Sequence, residues 1–222
     1  MRWLVIAALA ACGGNSAAPD AIQPDAAAPD IDGLDVVVSS TGVVVWVGFT
    51  GILMNNGRFA APGSCGGQTD GLINAPTCFA GIDIDNTSVD SVFAQAAANP
   101  YVSSRPVSAS SMLSASDCGR SIQIPLHAGP FPTASNVTGM RSGQSVVVSW
   151  MTTAPFTIAS VRGSLVLADC TDAGASEHTF PFGGNEPQLT VSVQPLTAPE
   201  ITHTDLGDVR VWYGDRTDFT VP

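Results

Sequence analysis

The 222-residue chain contains no lysine, and only three glutamates (Glu177, Glu186, Glu200) and three histidines (His127, His178, His203). The first absence excludes Schiff-base chemistry, a P-loop lysine and a lysine general base. The scarcity of the other two leaves few groups for acid–base work. Every cationic side chain is an arginine, and the formal net charge is −11. Such a surface repels phosphate backbones and anionic headgroups, which argues against a nucleic-acid partner and against peripheral membrane binding. No apolar run reaches the roughly 20 residues that a helix needs to cross a bilayer. HExxH, GxSxG and CxxC spacings are also missing, so no motif organises a metalloprotease, a serine hydrolase or a thiol redox site.

What is present begins with an export signal. Met1 and Arg2 supply positive charge, and Leu4 to Ala11 form an apolar stretch of secretory h-region length. Removal of Arg2 with this signal takes the formal charge from −11 to −12. The stretch ends Leu9-Ala10-Ala11-Cys12, which resembles the bacterial lipobox: an aliphatic residue, two small residues, then cysteine. The resemblance implies that residues 1–11 are cut away as a signal peptide and that the Cys12 thiol carries a diacylglyceryl group. The new amine is then open to acylation with a chain such as palmitate. Each buried methylene contributes about 0.8 kcal/mol, so two or three chains anchor durably where one binds reversibly. Gly13, in place of an aspartate after the cysteine, leans within that family to the outer membrane, periplasmic or surface-exposed. The alternative is soluble secretion, because Ala8-Leu9-Ala10 also fits a small-x-small cleavage site.

Residues 12–34 favour the anchor. They carry Pro19-Asp20, Pro24-Asp25 and Pro29-Asp30 among alanines and glycines. Proline fixes φ and the aspartates repel one another, so the segment cannot bury a core and is expected to stay disordered and extended. At about 3.1 Å per residue it would reach about 60 Å from a lipid surface.

From Asp35 to Pro222 the pattern is that of strands. Val43 to Val47 and Phe49 to Met54 are β-branched apolar runs. Ile122, Ile124 and Leu126, and again Leu189, Val191 and Val193, alternate with polar residues, giving each strand one wet face. Further strands are predicted at 145–151, 156–158, 161–168 and 209–213, separated by Gly, Pro, Asn and Asp. The expected fold is mainly β, an antiparallel β-sandwich of immunoglobulin-like or larger form, with possible sub-domains 35–130 and 131–222. One helix is predicted, because Val89, Val92, Phe93 and Ala96 fall at i, i+3, i+4 and i+7 behind the capping residues Asn86, Thr87 and Ser88.

The stretch GQSVVVSWMT, Gly143 to Thr152, is similar to an early strand of fibronectin type III and related immunoglobulin-like modules, in which a tryptophan on a valine-rich strand enters the core. The likeness would extend from about Phe131 to Pro222. It implies binding or spacing rather than catalysis. The ligand expected is an unknown protein or a carbohydrate, the latter because a tryptophan such as Trp212 can stack on a sugar. Cys118 lies outside it, so it does not imply the usual inter-sheet disulfide.

Four cysteines remain in the body, an even number in an oxidising compartment, which implies two disulfides from three possible pairings. The expected pairs are Cys65 with Cys78, closing a short loop, and Cys118 with Cys170, joining the two halves. No cofactor is implied, although Asp83, Asp85, Asn86 and Asp90 offer oxygen ligands suited to calcium. The competing reading is that Asp85 to Asp90 cap the predicted helix. On the strand around DVRVWYGD, Val209, Val211 and Tyr213 share one face and Arg210 and Trp212 the other, so Trp212 and Arg210 are a possible exposed binding face beside Asp205 and Asp208. The enzymatic alternative is an envelope hydrolase or metal-dependent enzyme assembled from His178, His203 and those loop aspartates. The reading preferred is noncatalytic, a binding or structural module held at the cell envelope.

Overall fold

Valine and isoleucine at every second position build strands, and no helix occurs among the described residues. The computed structural model describes residues 31–49, 64–65, 71–72, 79–91, 98–163, 167–173, 176–181 and 187–222. The expected signal peptide, Cys12, most of the tether and Cys78 lie outside them.

The first half of the chain supplies β1 (Ile31–Ser39), β2 (Gly42–Phe49), β3 (Ser64–Cys65), β4 (Gly71–Leu72), β5 (Phe79–Ile84), β6 (Thr87–Ser88), β7 (Asp90–Ser91), β8 (Ala98–Asn99), β9 (Tyr101–Ser103), β10 (Met112–Asp117) and β11 (Arg120–Pro125). The second supplies β12 (Ser135–Ser142), β13 (Ser145–Met151), β14 (Phe156–Arg162), β15 (Leu167–Ala173), β16 (Glu177–Pro181), β17 (Leu189–Leu196), β18 (Glu200–Thr204), β19 (Gly207–Tyr213) and β20 (Thr217–Val221). They form a six-stranded sheet β18-β19-β1-β2-β9-β7, a four-stranded sheet β11-β10-β5-β6, a five-stranded sheet β20-β17-β14-β15-β3, a three-stranded sheet β12-β13-β16 and a ribbon β4-β8. The pair β1–β19 is parallel.

Alternation along β1 and β19 determines how these sheets stack. Leu34, Val36, Val38, Val209 and Val211 point one way and meet Ile82, Leu113, Ile122 and Ile124 of the four-stranded sheet. Val37 and Trp212, on the opposite face, meet Leu196 of β17, with Trp46, Phe156 and Ile158 packed against them. A third cluster joins Val146, Val148, Trp150 and Phe180 to Ala159, Val161, Val191 and Val193. The layers therefore run four-stranded, six-stranded, five-stranded, three-stranded: two β-sandwiches back to back. Each fully buried valine or leucine contributes roughly 1.5 to 3 kcal/mol.

Three expectations are corrected. Residues 31–34, expected to end the disordered tether, instead open β1 and pair with β2, with Ile31 and Leu34 buried in the first core. The sheets do not divide at residue 130, because β18 and β19 return from the second half and complete the first sandwich. The predicted helix does not begin where its caps were placed. Asp85 and Asn86 have φ of 51° and 59°, and Asp83 pairs with Ser88 and Ile84 with Thr87. That is a two-residue hairpin turn of the primed kind. Asp90 and Ser91 then run extended against Val102 and Tyr101. Residues 92–97, the rest of the predicted helix, lie outside the described residues, as do 50–54 of an expected strand.

Within the second sandwich, β12 to β17 followed by β20 can be counted one to seven. One sheet then has the order 1-2-5 and the other 7-6-3-4, with β3 added beside strand 4. The connection between strands 6 and 7 is the excursion that carries β18 and β19.

Candidate functional site

The outward face predicted for Trp212 is covered. Trp212 is 3% exposed because the five-stranded sheet lies on that face of β19. Trp212 and Arg210 therefore do not form an exposed binding face, and this expectation is withdrawn. The alternation itself was read correctly, and what it could not reveal is a second layer contributed by distant residues.

A buried ion pair occupies the same face. Asp35 and Arg210 are direct partners in the β1–β19 register. Arg210 donates from Nε to Oδ1 and from Nη2 to Oδ2 of Asp35, both at 2.6 Å. The Asp35 side chain is 0% exposed and that of Arg210 28%. The guanidinium carbon stands 5.1 Å from the Trp212 ring centroid. The planar fork thus satisfies a buried carboxylate with two parallel bonds and stacks on the aromatic ring beside it. This arrangement ties β1 to β19 and occupies both carboxylate oxygens of Asp35.

The neighbouring acidic loop is similarly engaged. Arg120 donates from Nη2 to the buried Asp117 carboxylate at 2.8 Å and from Nη1 to the Asp205 carbonyl at 2.9 Å. His203 Nδ1 lies 2.6 Å from Asp208 Oδ1, both side chains being well exposed. His178 sits on β16 with its ring 4.7 Å from that of Phe180, in the three-stranded sheet. His203 belongs to the six-stranded sheet. The fold does not bring these two histidines together, and among the described residues no group of three or more His, Cys, Asp or Glu could hold a metal ion.

The carboxylates proposed for calcium, Asp83, Asp85 and Asp90, do not form a group that could hold a metal ion. Asp85 accepts from the Ser111 hydroxyl at 2.9 Å and the Met112 amide at 2.8 Å, which fastens the hairpin turn to the start of β10. Asn86 occupies the turn and Asp90 the strand β7. Asp83 faces outward and lines a shallow concavity of about 530 Å³ with Asn86, Ser114, Ser116, Ser121 and Gln123, on the solvent side of the four-stranded sheet.

Sequence reading missed a cluster built from three distant segments. Tyr213, at the end of β19, accepts from the His127 backbone amide at 3.4 Å. Its ring stacks on Phe131, centroids 6.3 Å apart and planes 13° from parallel. His127 Nε2 lies 3.5 Å from Glu200 Oε2. Burial, then the negative charge of Glu200, push the Tyr213 hydroxyl up to about 12. Residues 127, 200 and 213 share no local spacing, so no motif could have announced them. Phe131 belongs to the connection between the two sandwiches, and the cluster packs that connection onto the six-stranded sheet.

No family model and no curated protein matches the chain.

Proposed function

We propose that this chain is a cell-envelope lipoprotein, anchored through lipid on Cys12 in the outer membrane and raised from it by a tether of residues 12–30, whose double β-sandwich works without chemistry as a binding or structural module. One observation carries the noncatalytic part: among the described residues the buried carboxylates, Asp35 and Asp117, are engaged in architecture. Asp35 holds Arg210 against Trp212, and Asp117 holds Arg120, which in turn holds the Asp205 loop. The exposed Asp85 secures Ser111 and Met112 at the hairpin turn.

A fibronectin type III-like character for the second sandwich is part of the proposal. It is supported by Trp150, 2% exposed in the second core, and by the sheet orders 1-2-5 and 7-6-3-4, which such modules have. The family resemblance implies spacing or ligand binding. A protein or carbohydrate ligand would find hydrogen-bonding hydroxyl, amide and carboxylate groups in the concavity around Asp83, Ser114 and Gln123.

The test is phase partition of the exported chain in a cloud-point detergent. Wild-type protein is expected in the detergent phase, and Cys12→Ser in the aqueous phase or retaining its signal. Wild-type protein in the aqueous phase would contradict the anchor.

A further inference from the structure

We infer that Cys65 and Cys170 form a disulfide that staples the two sandwiches together, an inference that rests on the export proposed above for its oxidising environment. The strands β3 and β15 run antiparallel, and their register sets Cys65 directly opposite Cys170 and Ser64 opposite Thr171. Opposed residues of an antiparallel pair have Cα atoms about 4.5 or about 5.5 Å apart, depending on the hydrogen-bonding site. Both separations fall within the roughly 4.4 to 6.8 Å that a disulfide spans.

The layer order opposes the pairing of Cys118 with Cys170 expected above. Cys118 follows β10 in the four-stranded sheet and Cys170 lies in the five-stranded one, with the six-stranded sheet between them. Stacked sheets are about 10 Å apart, so the two outer sheets of three are separated by about 20 Å. Cys78 is left for Cys118, and the described register agrees. Phe79 pairs with Asp117 across β5 and β10, so Cys78 and Cys118 are the chain neighbours of two residues already paired.

The staple joins parts of the molecule that the chain itself connects only at a distance. In sequence β3 lies between β2 and β5, both strands of the first sandwich, yet it pairs on the outer edge of a sheet of the second. Two residues of ladder hold it there. A covalent link at that edge secures the excursion and adds to the Val37, Trp212 and Leu196 contact.

The bond forms by exchange with a disulfide oxidant. One cysteine thiolate attacks the oxidant's disulfide and releases one of its sulfurs as a thiol. The second cysteine thiolate then displaces the other sulfur. Two electrons and two thiol protons pass to the oxidant, which leaves as dithiol.

Mapping of the full-length chain, oxidised with glutathione disulfide and alkylated, reads the pairing wherever the protein was made. Cleavage after arginine and before aspartate places each body cysteine in its own peptide: 59–69, 70–82, 117–120 and 169–171. The expected links are 59–69 with 169–171, and 70–82 with 117–120. In addition, Cys170→Ser should free Cys65 for alkylation and leave Cys118 protected, and reduction of the wild type should lower Tm by about 5 to 15 °C. A link between 59–69 and 70–82, a free Cys118 in Cys170→Ser, or free thiols at both Cys65 and Cys170 in the oxidised wild type would overturn the inference. None of those results bears on lipid at Cys12.

Discussion

Arg210 grips Asp35 through two 2.6 Å hydrogen bonds across a parallel strand pair, with the carboxylate fully enclosed and the guanidinium laid on Trp212. Removing one partner leaves the other charge buried and uncompensated. Arg210→Ala should therefore destabilise by about 3 to 5 kcal/mol, whereas the double replacement Asp35→Leu with Arg210→Met should lose much less. Urea unfolding measures both. A single-variant loss below about 1 kcal/mol would show that the pair does not hold the strands.

Trp212→Ala probes the contact between the sandwiches. As a buried residue packed with Val37 and Leu196, its truncation should remove about 3 to 5 kcal/mol. Because it supports the Arg210 fork, the loss should be non-additive with Arg210→Ala in a double-mutant cycle. Additive losses would mean that ring and guanidinium do not interact.

The chain has two tyrosines, and burial raises both hydroxyls, Tyr213 to about 12. Below pH 10 the folded and unfolded chains both keep the Tyr213 proton. Between about 10 and about 12 only the folded chain does, so stability falls as pH rises through that window, by up to about 1.4 kcal/mol per pH unit. Tyr213→Phe should flatten that slope and remove one late phenolate from the ultraviolet titration. A Tyr213 that ionises near 10 in the folded protein would contradict the burial and the Glu200 contact.

Gly214 donates its amide to the Val38 carbonyl at 2.9 Å where the chain crosses from β19 to β20. A Cβ there would stand 1.7 Å from the Pro195 carbonyl oxygen. Since the obstacle is backbone, Gly214→Ala should destabilise by about 1 to 3 kcal/mol. Gly143→Ala has nothing within 4 Å to meet but also a φ of 60°, so it separates steric from conformational cost. Equal losses in the two variants would argue against a close approach at Gly214.

Much of the strand content was legible because burial on one face imposes a period of two: the valines at 146 and 148 with Trp150, and those at 191 and 193, lie inward as their spacing requires. The start predicted for the helix fails because Asn86, a candidate cap by residue type, sits with Asp85 in a hairpin turn, and Thr87 and Ser88 pair back onto β5; capping residues and turn residues are the same residue types. The covering of Trp212, the return of β18 and β19, and the Tyr213 cluster were illegible for a common reason. Each depends on residues far apart in the chain, and local periodicity says which face a side chain takes but not what lies over that face.

The intact mass of the mature exported protein reads the proposed anchor itself. The expected mass is that of a chain beginning at Cys12 with an added diacylglyceryl group, with or without a further acyl chain on the amine. A mature chain that begins at Ala11 or elsewhere, with no lipid mass, would contradict it.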